Sequence, residues 1–166
     1  MTKRNQIFPG NLGLVAFDVD GVLTDGRFWL SDEGVEMKAF NTQDGLGIRL
    51  LLRAGLEVAV ISGRQSNAVE KRMSELGVTH VILGCDDKVA AFQSLIKELG
   101  IEATNTVYVG DDVPDIPLLR RAGLAIAVAN AVAEVKAECA LTTTACGGYG
   151  AVREVCDLIL ASRNLN

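Results

Sequence analysis

Five apolar runs of strand length recur along the chain: Leu14-Val-Ala-Phe17, Glu57-Val-Ala-Val-Ile61, His80-Val-Ile-Leu83, Thr106-Val-Tyr-Val109 and Leu124-Ala-Ile-Ala-Val128. Longer stretches of helical period lie between them, at about residues 45–54, 66–76, 88–99 and 117–122, with a last one at 151–162. A strand that is apolar at successive positions buries both of its faces, and in a chain that alternates strand and helix this means a parallel sheet with helices on both sides. The expected fold class is therefore α/β, a doubly wound, mainly parallel sheet. Ala54-Gly55, Leu76-Gly77, Leu99-Gly100 and Ala122-Gly123 each place a glycine where a left-handed helix cap is cheapest.

One segment breaks the rhythm. Residues 27–40 read as two short strands around a turn at Ser31–Gly34, so a β-hairpin should project just after the first strand. Phe28 and Trp29 are adjacent and would point to opposite faces of such a hairpin, which sends at least one of them toward another surface. With 166 residues, 49% hydrophobic and 22% charged, and with no repeat, linker or composition break, residues 1–166 are expected to form a single domain.

Charge and composition remove several function classes. A net charge of −5 argues against a nucleic acid or an acidic membrane surface as the main partner, while a small anionic substrate can still be met by a local cation. The stretch from Leu124 to Ala129 is far too short to cross a bilayer, and the first ten residues, Met1 to Gly10, hold no apolar core of signal-peptide length. Cys85, Cys139, Cys146 and Cys156 are irregularly spaced with His80 as the sole histidine, a poor metal set, so reduced thiols in a cytoplasmic protein are expected.

In an open parallel sheet the functional crevice lies beyond the carboxyl ends of the strands. Here those ends carry Asp18-Val-Asp20-Gly-Val-Leu-Thr24-Asp25, then Ser62-Gly-Arg64, then Lys88, then Gly110-Asp111-Asp112-Val-Pro-Asp115. Asp18 and Asp20, two apart, share a side and repel unless a cation neutralises them, and Asp111 and Asp112 add to the repulsion. A hard divalent ion with oxygen ligands is the simplest remedy, and Mg²⁺ is the usual one where phosphate is also bound. The expected metal set is Asp18, Asp111 and, through a main-chain oxygen, Asp20. Ser62 and Lys88 supply a hydroxyl and a fixed positive charge, which together can hold a phosphoryl group in line with an attacking oxygen. Asp18 is then suited to attack phosphorus, and Asp20 to protonate the departing alkoxide and later take a proton from water.

The order Asp-x-Asp-Gly-x-x-Thr, Ser, Lys and Gly-Asp-Asp-x-x-Asp resembles the haloacid dehalogenase superfamily of phosphohydrolases. That resemblance implies Asp18 as nucleophile, Asp20 as general acid/base, Ser62, Gly63 and Lys88 as phosphate-binding residues, Asp111 as a metal ligand, and Asp112 and Asp115 as ligands or supporting groups. Residues 18–26, Phe40-Asn-Thr-Gln-Asp-Gly-Leu-Gly47, Ile61-Ser-Gly-Arg64 and Gly147-Gly-Tyr-Gly-Ala-Val-Arg-Glu154 are further similar to the 3-deoxy-D-manno-octulosonate (KDO) 8-phosphate phosphatase family. This second likeness runs from about Leu14 to Leu160. It implies a cytosolic bacterial homotetramer without a cap domain, acting in lipopolysaccharide synthesis on a small phosphorylated sugar acid.

The missing cap also follows from spacing, because the interval between Asp20 and Ser62 holds only hairpin and helix, and that between Ser62 and Lys88 only helix and strand. Water must then be excluded in another way, and a neighbouring subunit is expected to cover the site with its hairpin or its late glycine loop. Arg64 and Arg72 are candidates to grip the sugar carboxylate. Asn41, Thr42, Gln43 and Asp44 are expected along the approach to the site, and Tyr149 stands between glycines where some relatives carry arginine. Two other readings remain at this point: a phosphatase for a related nine-carbon sugar acid, and a receiver-like phosphoacceptor domain, which uses similar groups but places its phosphoacceptor after the third strand.

Overall fold

The computed structural model describes residues 7–163; the expectation about the chain's start rests partly on Met1–Gln6, which lie outside the described residues. Six parallel strands form the main sheet: β1 (Leu14–Phe17), β4 (Glu57–Ile61), β5 (His80–Ile82), β6 (Thr106–Gly110), β7 (Leu124–Ala127) and β8 (Leu141–Thr142). Their order is β5-β4-β1-β6-β7-β8. The chain first winds outward from β1 through β4 to β5, then returns to β6 and winds the other way. The order therefore reverses between β1 and β6, and a crevice must open at their carboxyl ends. Both strands are buried along their whole length. Their register is fixed by the pairing of Leu14 through Phe17 with Thr106 through Val109.

The crossovers place the helices in two groups. Those made while winding outward, α1 (Thr42–Arg53) and α2 (Asn67–Leu76), lie together, and α6 (Ala151–Ser162) packs on α1. Those made on the return, α3 (Lys88–Leu99), α4 (Ile116–Leu119) and α5 (Ala133–Glu138), pack on one another in sequence. Phe17, Ile48, Leu51, Met73, Phe92, Tyr108, Leu118, Ile126 and Ile159 fill the core. No helix among the described residues is long and apolar enough to cross a membrane.

The hairpin forms as expected. β2 (Trp29–Leu30) pairs antiparallel with β3 (Glu36–Met37), and Ser31 N–H donates to the Val35 carbonyl at 3.0 Å across the turn. Three local expectations need correction. Helix α1 begins at Thr42 rather than near residue 45, because the Asn41 side chain caps it, accepting from Gln43 N–H at 2.7 Å. Gly55, Gly77 and Gly100 take the left-handed conformation, but Gly123 does not; it is a glycine because a Cβ there would run into the Thr104 carbonyl. The helix expected at 117–122 is the single turn α4, and α5 and β8 were not anticipated because six and two residues are too short for periodicity to register.

Candidate active site

Backbone bonds set the loop after β1. The N–H groups of Val22, Leu23 and Thr24 all point at the Val19 carbonyl, at 3.2, 2.9 and 3.1 Å, which curls the chain tightly behind Asp18. Asp18 N–H donates to the Val109 carbonyl at 3.0 Å, tying the end of β1 to β6. Gly21 has φ 92°, and the Asp111 carboxyl occupies the space a Cβ would need, so glycine at this position lets the loops of β1 and β6 close on each other.

Lys88 opens α3, whose N-cap Asp87 accepts from Ala90 N–H at 2.9 Å. Its ammonium lies 2.6 Å from Asp18 Oδ1 and 2.7 Å from Asp115 Oδ1. Asp115 is buried and fully engaged: its Oδ1 also accepts from Tyr108 OH at 2.7 Å, and its Oδ2 accepts from Asp111 N–H at 3.0 Å. Asp18, Asp111 and Asp115 each offer a carboxylate oxygen within 4.8 Å of the others. Burial pushes the Asp18 carboxyl up to about 7, Asp115 adds to this, and Lys88 opposes it. Burial likewise pushes Asp111 up to about 7, reinforced by Asp18, Asp115 and Asp112. Burial alone would pull Lys88 down, but Asp18 and Asp115 hold its ammonium above the usual lysine value. One ammonium does not neutralise three crowded carboxylates, and an all-oxygen donor set with this charge deficit suits a hard dication.

The other expected site residues fall into two groups. Ser62 is buried at the end of β4, its Oγ accepting from Arg64 N–H at 3.3 Å, and Gly63 lies beside Lys88 in a cavity of about 420 Å³ that Cys85 also lines. Asp20 faces the flap, paired with Lys38 and with Arg64 Nε at 3.9 Å, and Arg64 also pairs with Glu36 at 3.2 Å. Arg72 and Asp44 are taken up by structural partners: Arg72 lies against Gly45 and pairs with Glu75, while buried Asp44 accepts from Arg153 N–H at 2.8 Å at the head of α6. Thr42 is the first residue of α1, and Asp112 caps the turn at Val113–Asp115. Tyr149 OH lies 3.4 Å from both Asp25 and Arg27.

Sequence reasoning missed four contributors. Lys38 and Glu36 come from the flap; their alternation on one strand face was the available signal. Tyr108 stands in an apolar run and reads as core. Asn130 bridges two distant loops, donating to the Gly21 carbonyl at 3.4 Å and accepting from Gly147 N–H at 2.6 Å. A Cβ on Gly147 would collide with the Gly21 carbonyl, so the late glycine loop is pressed onto the loop behind Asp18.

A nucleophile-like carboxylate, a lysine and a second acidic strand end at the sheet's switch point define a haloacid dehalogenase-like hydrolase, and residues 84–147 match the model of the haloacid dehalogenase-like hydrolase family. The chain is 45% identical over 153 residues to the 3-deoxy-D-manno-octulosonate 8-phosphate phosphatase KdsC of Escherichia coli strain K12, covering 92% of this chain and 81% of that one. It superimposes with a TM-score of 0.94 on the phosphatase of that name from Moraxella catarrhalis, solved with magnesium, phosphate and KDO, at 45% identity over 99% of this chain and 95% of that one. The cobalt-bound phosphatase from Haemophilus influenzae gives 0.90 at 39% identity, over 98% and 92%. The chain belongs to the 3-deoxy-D-manno-octulosonate 8-phosphate phosphatase family, and it is a phosphoric monoester hydrolase without a separate cap domain.

Proposed function

We propose that the chain hydrolyses KDO 8-phosphate to KDO and inorganic phosphate through a phosphorylated Asp18. The observation that carries this is Lys88 held between Asp18 and Asp115 with Asp111 closing over Gly21, because it fixes one buried carboxylate oxygen where a phosphoryl group can meet it. An Asp18 oxygen bonds to phosphorus as the bond to the ester oxygen breaks; the ester oxygen keeps the electron pair and takes a proton from Asp20. Asp20 then removes a proton from water, whose oxygen bonds to phosphorus as the Asp18–phosphorus bond breaks, returning both aspartates to their starting states. Lys88 and Ser62 hold the phosphoryl oxygens, joined by the backbone at Gly63.

Asp18, Asp111 and the main-chain oxygen of Asp20 would hold Mg²⁺, with Asp115 close enough to join or to orient them. When bound, the ion lowers the repulsion between these carboxylates and the phosphate and draws negative charge off phosphorus. Arg64, at the mouth of the cleft, is placed in this reading to meet the substrate carboxylate. Thr42, Asp44 and Arg72 support the approach, Asp44 by seating α6 and Arg72 from the α2 surface.

Residues 1–166 act as one domain in this reading, and a second copy of the chain covers the open cleft within a homotetramer. Trp29 and Leu30, 57% and 65% exposed on a hairpin beside the site, support such a contact. The compartment is the cytoplasm, which suits four unpaired thiols, and the product feeds lipopolysaccharide synthesis. A phosphate-release screen across sugar phosphates with Mg²⁺ tests the whole reading. KDO 8-phosphate should give the highest kcat/KM, above nine-carbon sugar-acid 9-phosphates, and EDTA should silence it. A long-lived phosphoprotein with no turnover would replace the enzyme by a phosphoacceptor.

A further inference from the structure

Lys38 follows β3 and is used by none of the motifs that define the site. Its side chain is fully buried, with 0% exposed. A lysine is seldom buried this deeply unless its charge is met. Here the ammonium pairs with Asp20 Oδ1, lies 3.5 Å from Glu36 Oε1, and sits 5.4 Å from the centre of the Phe28 ring. Glu36 is itself held by Ser66 Oγ at 2.7 Å and by Arg64 at 3.2 Å. Arg64 stacks on the same Phe28 ring at 4.2 Å. The Asp20 carboxylate is therefore gripped by the flap through Oδ1, while its Oδ2 is approached by Arg64 Nε at 3.9 Å, beyond direct hydrogen-bond range.

This contrasts with Asp18 and Asp115, which the sheet and α3 hold directly. Among the described residues no other side chain hydrogen-bonds the Asp20 carboxylate, so its plane is set by a residue that arrives on a hairpin. We infer that Lys38 is the positioning residue for proton delivery: by fixing Oδ1 it leaves Oδ2 to exchange the proton with the ester oxygen. The inference rests on the assignment of Asp20 as acid/base. As the phosphorus–oxygen bond breaks, its electron pair passes to the ester oxygen, which receives the Asp20 proton; the new carboxylate stays in contact with the Lys38 ammonium, which itself keeps its protons. Glu36 and Phe28 fix Lys38 in turn.

Proton delivery matters for a sugar alkoxide and hardly at all for a leaving group that departs as a stable anion. The test compares Lys38→Met, Lys38→Arg and Glu36→Gln with the parent in kcat/KM for KDO 8-phosphate and for p-nitrophenyl phosphate, both with Mg²⁺. Lys38→Met should lose about 10- to 100-fold on the sugar phosphate, a part of the range for general acid/base groups, and less than about threefold on p-nitrophenyl phosphate. Lys38→Arg should restore most of the loss, and Glu36→Gln should show the same selectivity at smaller size. Equal losses on both substrates, or no loss on either, would overturn the inference and leave Lys38 as a prop for the flap. Asp20→Asn run in parallel separates the two levels. If it is selective while the Lys38 and Glu36 variants are not, only this inference fails; if it is not selective, the acid/base assignment fails first.

Discussion

Asp18, Asp111 and Asp115 stand at the ends of two adjacent strands buried on both faces, whereas Phe28, Glu36 and Lys38 stand on a hairpin whose two strands have two residues each. The first group is held by sheet hydrogen bonds and by Lys88 at the head of a twelve-residue helix. The second is held by side chains, because a hairpin this short is not stable alone. A rigid floor can hold like charges together at the cost of pushing two carboxyls up to about 7. A side-chain-latched flap cannot sustain such repulsion, and Glu36 and Lys38 are accordingly paired. The contrast implies that changes in the floor abolish chemistry with little effect on the fold, and that changes in the flap alter the handling of the leaving group or of a neighbouring copy.

The largest effect falls on the floor. Asp18→Asn removes the attacking oxygen while leaving an acceptor for Lys88, so turnover should vanish with the fold retained, as read by phosphate release and circular dichroism. More than a tenth of parent activity would remove Asp18 from its role. Asp20 belongs to both regions, being on the floor loop but gripped from the flap. Its change to Asn should cut kcat on the sugar phosphate by about 10²- to 10⁴-fold, the range for a general acid/base, and a loss below tenfold would show that some other group moves the proton.

Gly147 tests whether the floor is held from a distance. Its replacement by Ala forces the late loop off the Gly21 carbonyl and pulls on Asn130, which joins the two loops. Since a displacement of about 1 Å at reacting groups can cost about 10²-fold, kcat should fall by about that factor while KM changes less. An unchanged kcat would mean that the loop behind Asp18 sets itself.

The floor was legible in the sequence because Asp18 directly follows an apolar run, Asp111 follows one across a single glycine and Asp115 stands four residues further on, and a parallel sheet gathers such positions at one edge. The roof was not, because Lys38 reaches Asp20 only through the fold of the hairpin, and nothing in its neighbours' spacing says which way the hairpin leans. Asp44 illustrates a different difficulty. It sits in a run of polar residues, yet the Asn41 cap starts α1 early and places Asp44 in the first turn of that helix, buried against the head of α6. Gly123 shows that one residue type serves two purposes: the sequence pattern of a helix stop concealed a close approach to the Thr104 carbonyl.

Asp44 also supplies a pH dependence that involves neither the proposed metal ligands nor the flap. Burial pushes its carboxyl above the usual value, against the hydrogen bonds from the α6 backbone, and among the described residues its Oδ2 has no hydrogen-bond partner. The folded state thus binds this proton more tightly than the unfolded one. The contribution to stability is full below the ordinary carboxylate pKa of about 4 and is lost as pH rises through the folded value. Asp44→Asn keeps an acceptor for Arg153 N–H and carries no charge, so its melting temperature relative to the parent should rise as pH is raised above about 4. A difference that does not change with pH would mean that Asp44 ionises at no cost to the fold.

The smallest effect on the fold is expected at the flap tip, and it decides what the tip is for. Trp29 and Leu30 touch little of their own chain, so changing Trp29 to Ser should alter stability by no more than about 0.5 kcal/mol, the scale of surface substitutions. If a second copy seats its own surface on this hairpin, the same change exposes that contact to water on both partners, and the assembly should dissociate at higher protein concentration while each chain melts as before. Sedimentation velocity and activity measured together over a dilution series separate the two outcomes. Activity that falls in step with dissociation supports a cleft completed by a neighbour; a monomer that keeps full activity on the sugar phosphate shows that the flap closes the site unaided. A large drop in melting temperature would show instead that the hairpin belongs to the core after all, and the distinction between a rigid floor and a latched roof would have to be given up.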